Sequence, residues 1–459
     1  MASSGGKQTI IAGSIRLDIP LAAASGAAVR QAAGAGQSTT MPVPPIFRTR
    51  PDLVRPISAP QSPQQAEAAE LPDGLARTVS ASTPIDVELT PKDPSELSDA
   101  HAIFPVVQDD RFFYIAGPAV KTADISATHR SRNAFNLTVT KLPDVSVAPA
   151  GPSETRIAIG RALKLGFFKI LRVPSADVGL RVPRLENNKV YYRPVKAGEL
   201  QGDARVALLV HGFLSETSWM VQALLPVLQA AGFPHIVTWD YETFTTAVRD
   251  TAGGLAESLR SAGVSAGAAR LDVIAHSMGG LVTRTLIAQA AGNHQIRRAL
   301  LMGTPSGGTP IAAAGDFVPE VASLFLNHYV PGLSLGPVTP DILIRLLWRK
   351  IEKGMNDLQP DSDFIRWVNS NPADQITPLT LVVGDAAADD SANLFQRIFH
   401  GASNLFYGGP NDLVVPTSSM ARLSSPPFPS VEVQRCPANH FNYLVPGKPS
   451  RAFVEQWIK

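Results

Sequence analysis

The sequence predicts an α/β protein built on a mostly parallel sheet with helices on both faces. Three observations lead there. From about residue 205 to the end, short Val/Ile/Leu runs alternate with helical stretches. One of these runs leads straight into a small-residue turn around Ser277. Segments carrying Asp412 and then His440 follow it, the latter just past the last strand-like run.

The runs are VALLV (206–210), HIVTW (235–239), LDVIA (271–275), ALLM (299–302), LTLVV (379–383) and VEVQR (431–435). Continuous apolar runs, rather than alternating ones, mark strands buried on both faces. Helical stretches near Trp219, 250–262, 279–291 and 449–458 separate or follow them. In such sheets the chemistry gathers at the carboxyl ends of the strands.

Composition narrows the classes. Hydrophobic residues make up 44% and charged residues 17% of the 459 positions, which excludes wholesale disorder and suggests more than one domain. The formal net charge of +2 is too small to argue for nucleic acid. Cys436 is the one cysteine, so no intrachain disulfide forms. No His/Cys/Asp cluster has metal-ligand spacing, and neither a metal nor a cofactor is called for. No run is apolar for about 18 residues. Arg16 and Asp18 interrupt the semi-apolar N-terminal stretch where a signal peptide needs an unbroken core. The expected location is therefore cytoplasmic.

Before residue 205 the pattern is less regular. Residues 1–83 hold nine prolines and one aromatic, Phe47, and read as a mostly disordered Ala/Gly/Ser/Pro-rich arm. Within it QTIIAGSIRLDIPL has the pattern of one docking strand. Residues 84–150 contain IDVELT, FFYIAG and FNLTVTKL and read as a small β-rich region. The larger α/β domain is then expected over 151–459. ETRIAIGRALKLGFFKILR (154–172) has helical periodicity, with Ile159, Leu163, Phe167 and Ile170 on one face and basic residues away from it. Such a helix either packs on its neighbour or makes a peripheral membrane contact. GLRVPRLENNKVYYRPV reads as a hairpin turning at Asn187–Asn188.

The motif LDVIAHSMGG (271–280) carries the sharpest signal. A strand meets a helix at Ala275-His276-Ser277-Met278-Gly279. Small residues let the two elements approach closely, and the turn holds the serine hydroxyl at a helix N-terminus. Ala275 replaces the usual first glycine of such a nucleophile elbow.

On these residues, 205–459 resembles bacterial lipases and related serine esterases of the α/β-hydrolase superfamily. The resemblance implies an ester hydrolase with Ser277 as nucleophile. It implies that the loop after VALLVHGF gives a backbone N–H to an oxyanion hole, so that Phe213 and Met278 are the donors, while His211 shapes the loop. In YGGPNDLVVPTSS it points to Asp412 as the acid, with Asp385, directly after LTLVV, as the rival. In VEVQRCPANHFNYL it points to His440 as the base. RALLMGTPSGGTP (298–310) is expected to line the site, and an insertion at about 311–355 to form the helical lid. Some lipases of this group hold a structural calcium; Asp389 and Asp390 are the acidic pair to ask about, and surface solvation is the plainer account of them.

The expected function is cleavage of a small-molecule or lipid carboxylic ester through an acyl-enzyme. Thioesterase, phospholipase or acyltransferase chemistry would use the same residues, and a non-catalytic scaffold is the reading from another class.

Overall fold

The computed structural model describes residues 7–20, 38–57, 62–71, 79, 83–91, 93, 95, 99–109, 112–124, 135–142, 163–175, 177–264, 270–289, 296–313, 322–323, 326–327, 339–348, 353–371, 377–389, 407–423 and 431–459. The chain divides into two compact units.

The N-terminal unit takes Met1–Pro174 together with Asp316–Gly332 and Thr339–Arg349. Its strands are β1 (Lys7–Ala12), β2 (Ile15–Pro20), β3 (Ser38–Pro42), β4 (Val54–Pro56), β5 (Gln65–Leu71), β6 (Ile85–Leu89), β7 (Ala102–Gln108), β8 (Phe113–Ile115), β9 (Val120–Lys121), β10 (Phe135–Val139) and β11 (Leu163–Ile170). One antiparallel sheet runs β1-β2-β6-β10, and a second runs β3-β5-β11-β7-β8, with β4 on β11 and β9 on β7. Strands β6 and β10 alternate buried and partly or fully exposed residues, as a sheet with one covered face requires. Residues from both sheets, among them Leu17, Val87, Phe135, Leu165 and Phe167, share one apolar core.

These strands correct two expectations. The described parts of residues 1–83 form paired strands and the short helix Pro45–Arg48, where a flexible arm was expected. Their side chains are small, but Ala66, Ala68 and Ala69 of β5 are wholly buried, so packing overrides a composition that favours disorder. The helix expected over 154–172 is also replaced, in its described part, by β11. That strand lies between β5 and β7 and is buried along almost its full length, so an apolar period of three or four was coincidental. Its lysines are spent inside the unit: Lys164 donates to the Thr40 carbonyl (3.1 Å) and Lys169 pairs with Asp99 (2.7 Å). Residues 151–162 lie outside the described residues. With β11 in the N-terminal unit, the second unit begins near Ser175, not at 151.

Part of the insertion at 311–355 also belongs to the N-terminal unit. The Asn327 side chain accepts from the Phe113 N–H (2.9 Å) and donates to the Phe113 carbonyl (2.6 Å), and the Ser323 hydroxyl accepts from the Ile115 N–H (2.9 Å). Both thus bond the backbone of β8, as a neighbouring strand would. The helix Pro340–Trp348 buries Ile342, Leu343, Leu346 and Leu347, and Asp341 pairs with Arg50 (2.5 Å).

The C-terminal unit comprises Ser175–Gly315, Leu333–Val338 and Lys350–Lys459. It opens with β12 (Gly179–Glu186) and β13 (Lys189–Pro194), joined at Asn187 and Asn188, whose φ values of 48° and 62° suit a two-residue hairpin. Then follow β14 (Val206–Val210), α1 (Ser218–Ala230), β15 (His235–Asp240), α2 (Val248–Ser261), β16 (Leu271–His276), α3 (Met278–Gln289), β17 (Ile296–Met302), β18 (Leu379–Gly384), β19 (Val431–Cys436) and the helix Pro449–Ile458. The sheet order is β13-β12-β15-β14-β16-β17-β18-β19. Strands β14 to β19 pair in parallel, while β12 pairs antiparallel with β13 and β15. The chain steps from β14 to β15 on one side and to β16 on the other. The connections therefore diverge at the carboxyl ends of β14 and β16, which leaves a crevice there.

Candidate active site

Ser277 sits between β16 and α3 with φ +53°, a conformation that costs a non-glycine residue roughly 1–3 kcal/mol. The turn is held by the Ser277 N–H to the Met302 carbonyl (2.8 Å) and the Gly280 N–H to the Ser277 carbonyl (3.0 Å). Two glycines make the approach possible. A Cβ on Gly279 would stand 2.3 Å from the His211 carbonyl oxygen, and one on Gly212 would stand 2.5 Å from Cβ of Ser277. The loop after β14 is thus pressed against the serine backbone. Ser277 itself is 5% exposed.

His440 follows β19. Its Nε2 lies 2.9 Å from Oγ of Ser277 and its Nδ1 lies 2.7 Å from Oδ2 of Asp412. Both partners are buried with it. Asp412 is built into a tight loop in which its Oδ1 accepts from the N–H groups of Val414 (3.1 Å) and Val415 (2.8 Å). Asn411 accepts from the Leu413 N–H (2.9 Å), and Leu413 takes φ +82°. The His440 N–H donates to the Asp412 carbonyl (2.8 Å), so the two loops are joined by backbone as well as side chain. Such a chain can draw the proton from the serine hydroxyl onto imidazole and hold the resulting imidazolium against a carboxylate.

The rival carboxylate lies elsewhere: Asp385 caps the short turn Ala386–Ala388 by accepting from the Ala387 N–H (3.0 Å). Met278 opens α3, where the first N–H groups lack intrahelical partners. Phe213 stands one residue past Gly212, its ring 6.1 Å from that of Phe244. His211 does shape its loop. Its Nε2 accepts from the Tyr241 N–H (3.1 Å), so its Nδ1–H donates to the Gly212 carbonyl (2.8 Å). Its ring stacks on Tyr241, whose hydroxyl donates to the His211 carbonyl (2.7 Å). Cys436 is buried, and burial pushes its thiol up, which suits an inert residue.

Two neighbours escaped sequence reasoning, and a third was read otherwise. The Tyr443 hydroxyl donates to Oδ2 of Asp412 (2.8 Å) and accepts from the Gly384 N–H (3.1 Å). Burial and the adjacent carboxylate hold this phenol well above its usual range, so it stays a donor. Nε2–H of His276 donates to the His440 carbonyl (2.9 Å); burial, then the neighbouring His440, pushes His276 well below the ordinary histidine value and keeps it neutral. Asp389 is 4% exposed, which corrects its reading as a solvated surface residue; Asp390 lies outside the described residues. Tyr443 and His276 are marked only by lying within the two motifs already singled out, and Asp389 only by being one of an adjacent acidic pair. Among the described residues no cluster of His, Cys, Asp or Glu is arranged for a metal, and no helix is long and apolar enough to cross a membrane.

A parallel sheet with a serine on a strained strand-to-helix turn at its carboxyl edge is the arrangement of the α/β-hydrolase fold. Among solved structures the chain is similar to the mature lipase BlEst2 of Bacillus licheniformis, at 17% identity and TM-score 0.37 over 53% of this chain and 89% of that one. It is similar to EstA of Clostridium botulinum at 15% identity and TM-score 0.41, over 62% and 91%. It is also similar to the phospholipase PlaB of Legionella pneumophila at 14% identity and TM-score 0.38, over 56% and 60%. No curated protein matches it. Residues 184–445, more than half of the chain, match the family model described as "Domain of unknown function (DUF7379)", and the chain belongs to that family.

Proposed function

We propose that this chain is a serine hydrolase of carboxylic esters, working through Ser277, His440 and Asp412. The observation that carries the reading is the unbroken hydrogen-bond path from Oγ of Ser277 through both nitrogens of His440 to Oδ2 of Asp412. In the reaction Nε2 of His440 takes the proton of Ser277 as its oxygen attacks the ester carbonyl. Asp412 holds the imidazolium, aided by the Tyr443 hydroxyl on the same oxygen. The N–H groups of Phe213 and Met278 receive the oxyanion, each such donor contributing about 3 kcal/mol to the barrier. The imidazolium then protonates the leaving alcohol, and water activated by His440 releases the acid.

The test is hydrolysis of p-nitrophenyl esters of increasing acyl length by wild type and Ser277→Ala, with parallel panels of thioesters and phospholipids. Wild-type turnover that the substitution lowers by about 10⁶-fold fixes the nucleophile. The preferred panel separates esterase from thioesterase or phospholipase. A folded wild type that neither turns over these substrates nor takes a fluorophosphonate label overturns the reading in favour of a scaffold.

A further inference from the structure

We infer that Asp389 is the positioning residue of the His440 loop, a role that rests on the reading of His440 as the base. The carboxylate lies at the end of the short turn that follows β18 and is 4% exposed. It accepts from Nδ2 of Asn442 (2.6 Å) and, at longer range, from Nδ2 of Asn439 (3.5 Å), and it pairs with the Lys448 ammonium. Asn439 and Asn442 bracket His440. Their amide oxygens face the other way, into the loop: Asn442 accepts from the Asn439 N–H (2.8 Å), and Asn439 accepts from the Phe441 N–H (3.0 Å). Asn439 and Asn442 are 1% and 7% exposed, so water does not substitute for these bonds.

One carboxylate therefore fixes the orientation of both asparagine amides, and those amides fix the backbone on either side of the base. Lys448 adds a third tie, since it is the cap of the helix Pro449–Ile458. The loop is thereby held to the end of β18 on one side and to the last helix on the other. His440 has its own backbone ties, its N–H to Asp412 and its carbonyl to His276, and the Asn442 N–H donates to the Asn439 carbonyl (3.2 Å); Asp389 adds the side-chain tie that fixes both flanking amides from outside the loop. The need for such support is steep: a displacement of about 1 Å in a reacting group costs about 100-fold in rate. Asp389 acts on the reaction only through the placement of the imidazole.

The experiment compares wild type with Asp389→Ala, Asp389→Asn and Asn442→Ala. The kcat is measured per site titrated with a fluorophosphonate, alongside KM and the proton NMR signal of the His440 Nδ1–H. Asp389→Ala is expected to lower kcat per titrated site by about 100-fold with KM little changed, and to shift or broaden the Nδ1–H signal. Asp389→Asn retains an acceptor for Asn442 and recovers much of the rate. Asn442→Ala leaves the ion pair with Lys448 intact, guards against misfolding of the alanine variant, and is expected to move rate and signal in the same direction. Folded variants with wild-type kcat per titrated site and an unmoved signal overturn the inference, even if their Tm falls. A wild type without turnover or label defeats the proposed chemistry instead, and the NMR signal still decides whether Asp389 places His440.

Discussion

The two units spend their buried polar groups differently. In the N-terminal unit the few that are buried serve the fold. Glu67 accepts from the Ser14 N–H (3.2 Å) and from the hydroxyls of Ser14 (2.8 Å) and Ser38 (3.2 Å), and Asp109 accepts from the Phe112 N–H (2.6 Å). Among the described residues, Lys169, Ser323 and Arg345 are buried as well, and the remaining interior is mostly aliphatic and aromatic, with Phe47, Phe104 and Phe168 in mutual ring contact. In the C-terminal unit His211, Asp240, His276, Ser277, Asp412, Asn439 and His440 are all nearly inaccessible and lie at the carboxyl ends of strands or in the loops just beyond them. Buried polar groups are costly unless fully partnered. These seven lie at one edge of the sheet, the place where a reaction needs fixed dipoles and protons. Under the proposed chemistry, packing falls to the first unit and the reaction to the second.

That division can be broken, beginning with the largest effect. Asp412→Asn is expected to cut ester turnover by about 10⁴-fold, since the imidazole tautomer is then wrong, while Asp385→Asn stays close to wild type. Loss of activity in Asp385→Asn with retention in Asp412→Asn would reverse the assignment of the acid. Phe168→Ala, in the N-terminal core, is expected to cost about 3–5 kcal/mol in urea unfolding yet leave kcat per titrated site unchanged. A changed kcat per site would mean that the first unit has a part in the chemistry.

The smallest effect concerns pH. His276 is neutral when folded because its proton affinity is depressed by burial, whereas the unfolded chain binds a proton there below about pH 6.5. The unfolded state then holds more protons, so stability falls as pH drops through that value, by up to about 1.4 kcal/mol per pH unit. His276→Gln is expected to flatten this part of the slope between about pH 6.5 and 5. Urea midpoints that fall equally in both proteins would remove His276 from the account.

The same contrast explains what was legible in the sequence. Ser277, Asp412 and His440 were readable because each follows, at short range, a strong apolar run or a turn pattern that fixes its place at a strand end. The hairpin at Asn187–Asn188 was readable because two residues that tolerate positive φ lie between strand-like runs. The N-terminal unit was not readable in this way. QAEAAEL has the composition of a helix or a linker, yet β5 lies between β3 and β11, where small side chains fit: a Cβ on Gly166 of β11 would stand 2.5 Å from the sulfur of Met41. LKLGFFKI satisfied a helical period while its burial is that of an inner strand. Tyr443, His276 and Asp389 act through partners 31, 164 and 53 residues away, and no local pattern encodes such pairings.

The makeup of the N-terminal unit also sets a timetable. Residues up to Pro174 leave the ribosome first, yet their unit is completed only by Asp316–Gly332 and Thr339–Arg349. At about 5–20 residues per second, the 175 residues from Pro174 to Arg349 (349 − 174) take roughly 10–35 s to be made. For most of that interval, until Asn327 has been made, the backbone of β8 lacks the side chains of Ser323 and Asn327. The nascent chain thus carries an open strand edge for many seconds, a window in which a chaperone, or a second nascent copy, competes for the same hydrogen bonds.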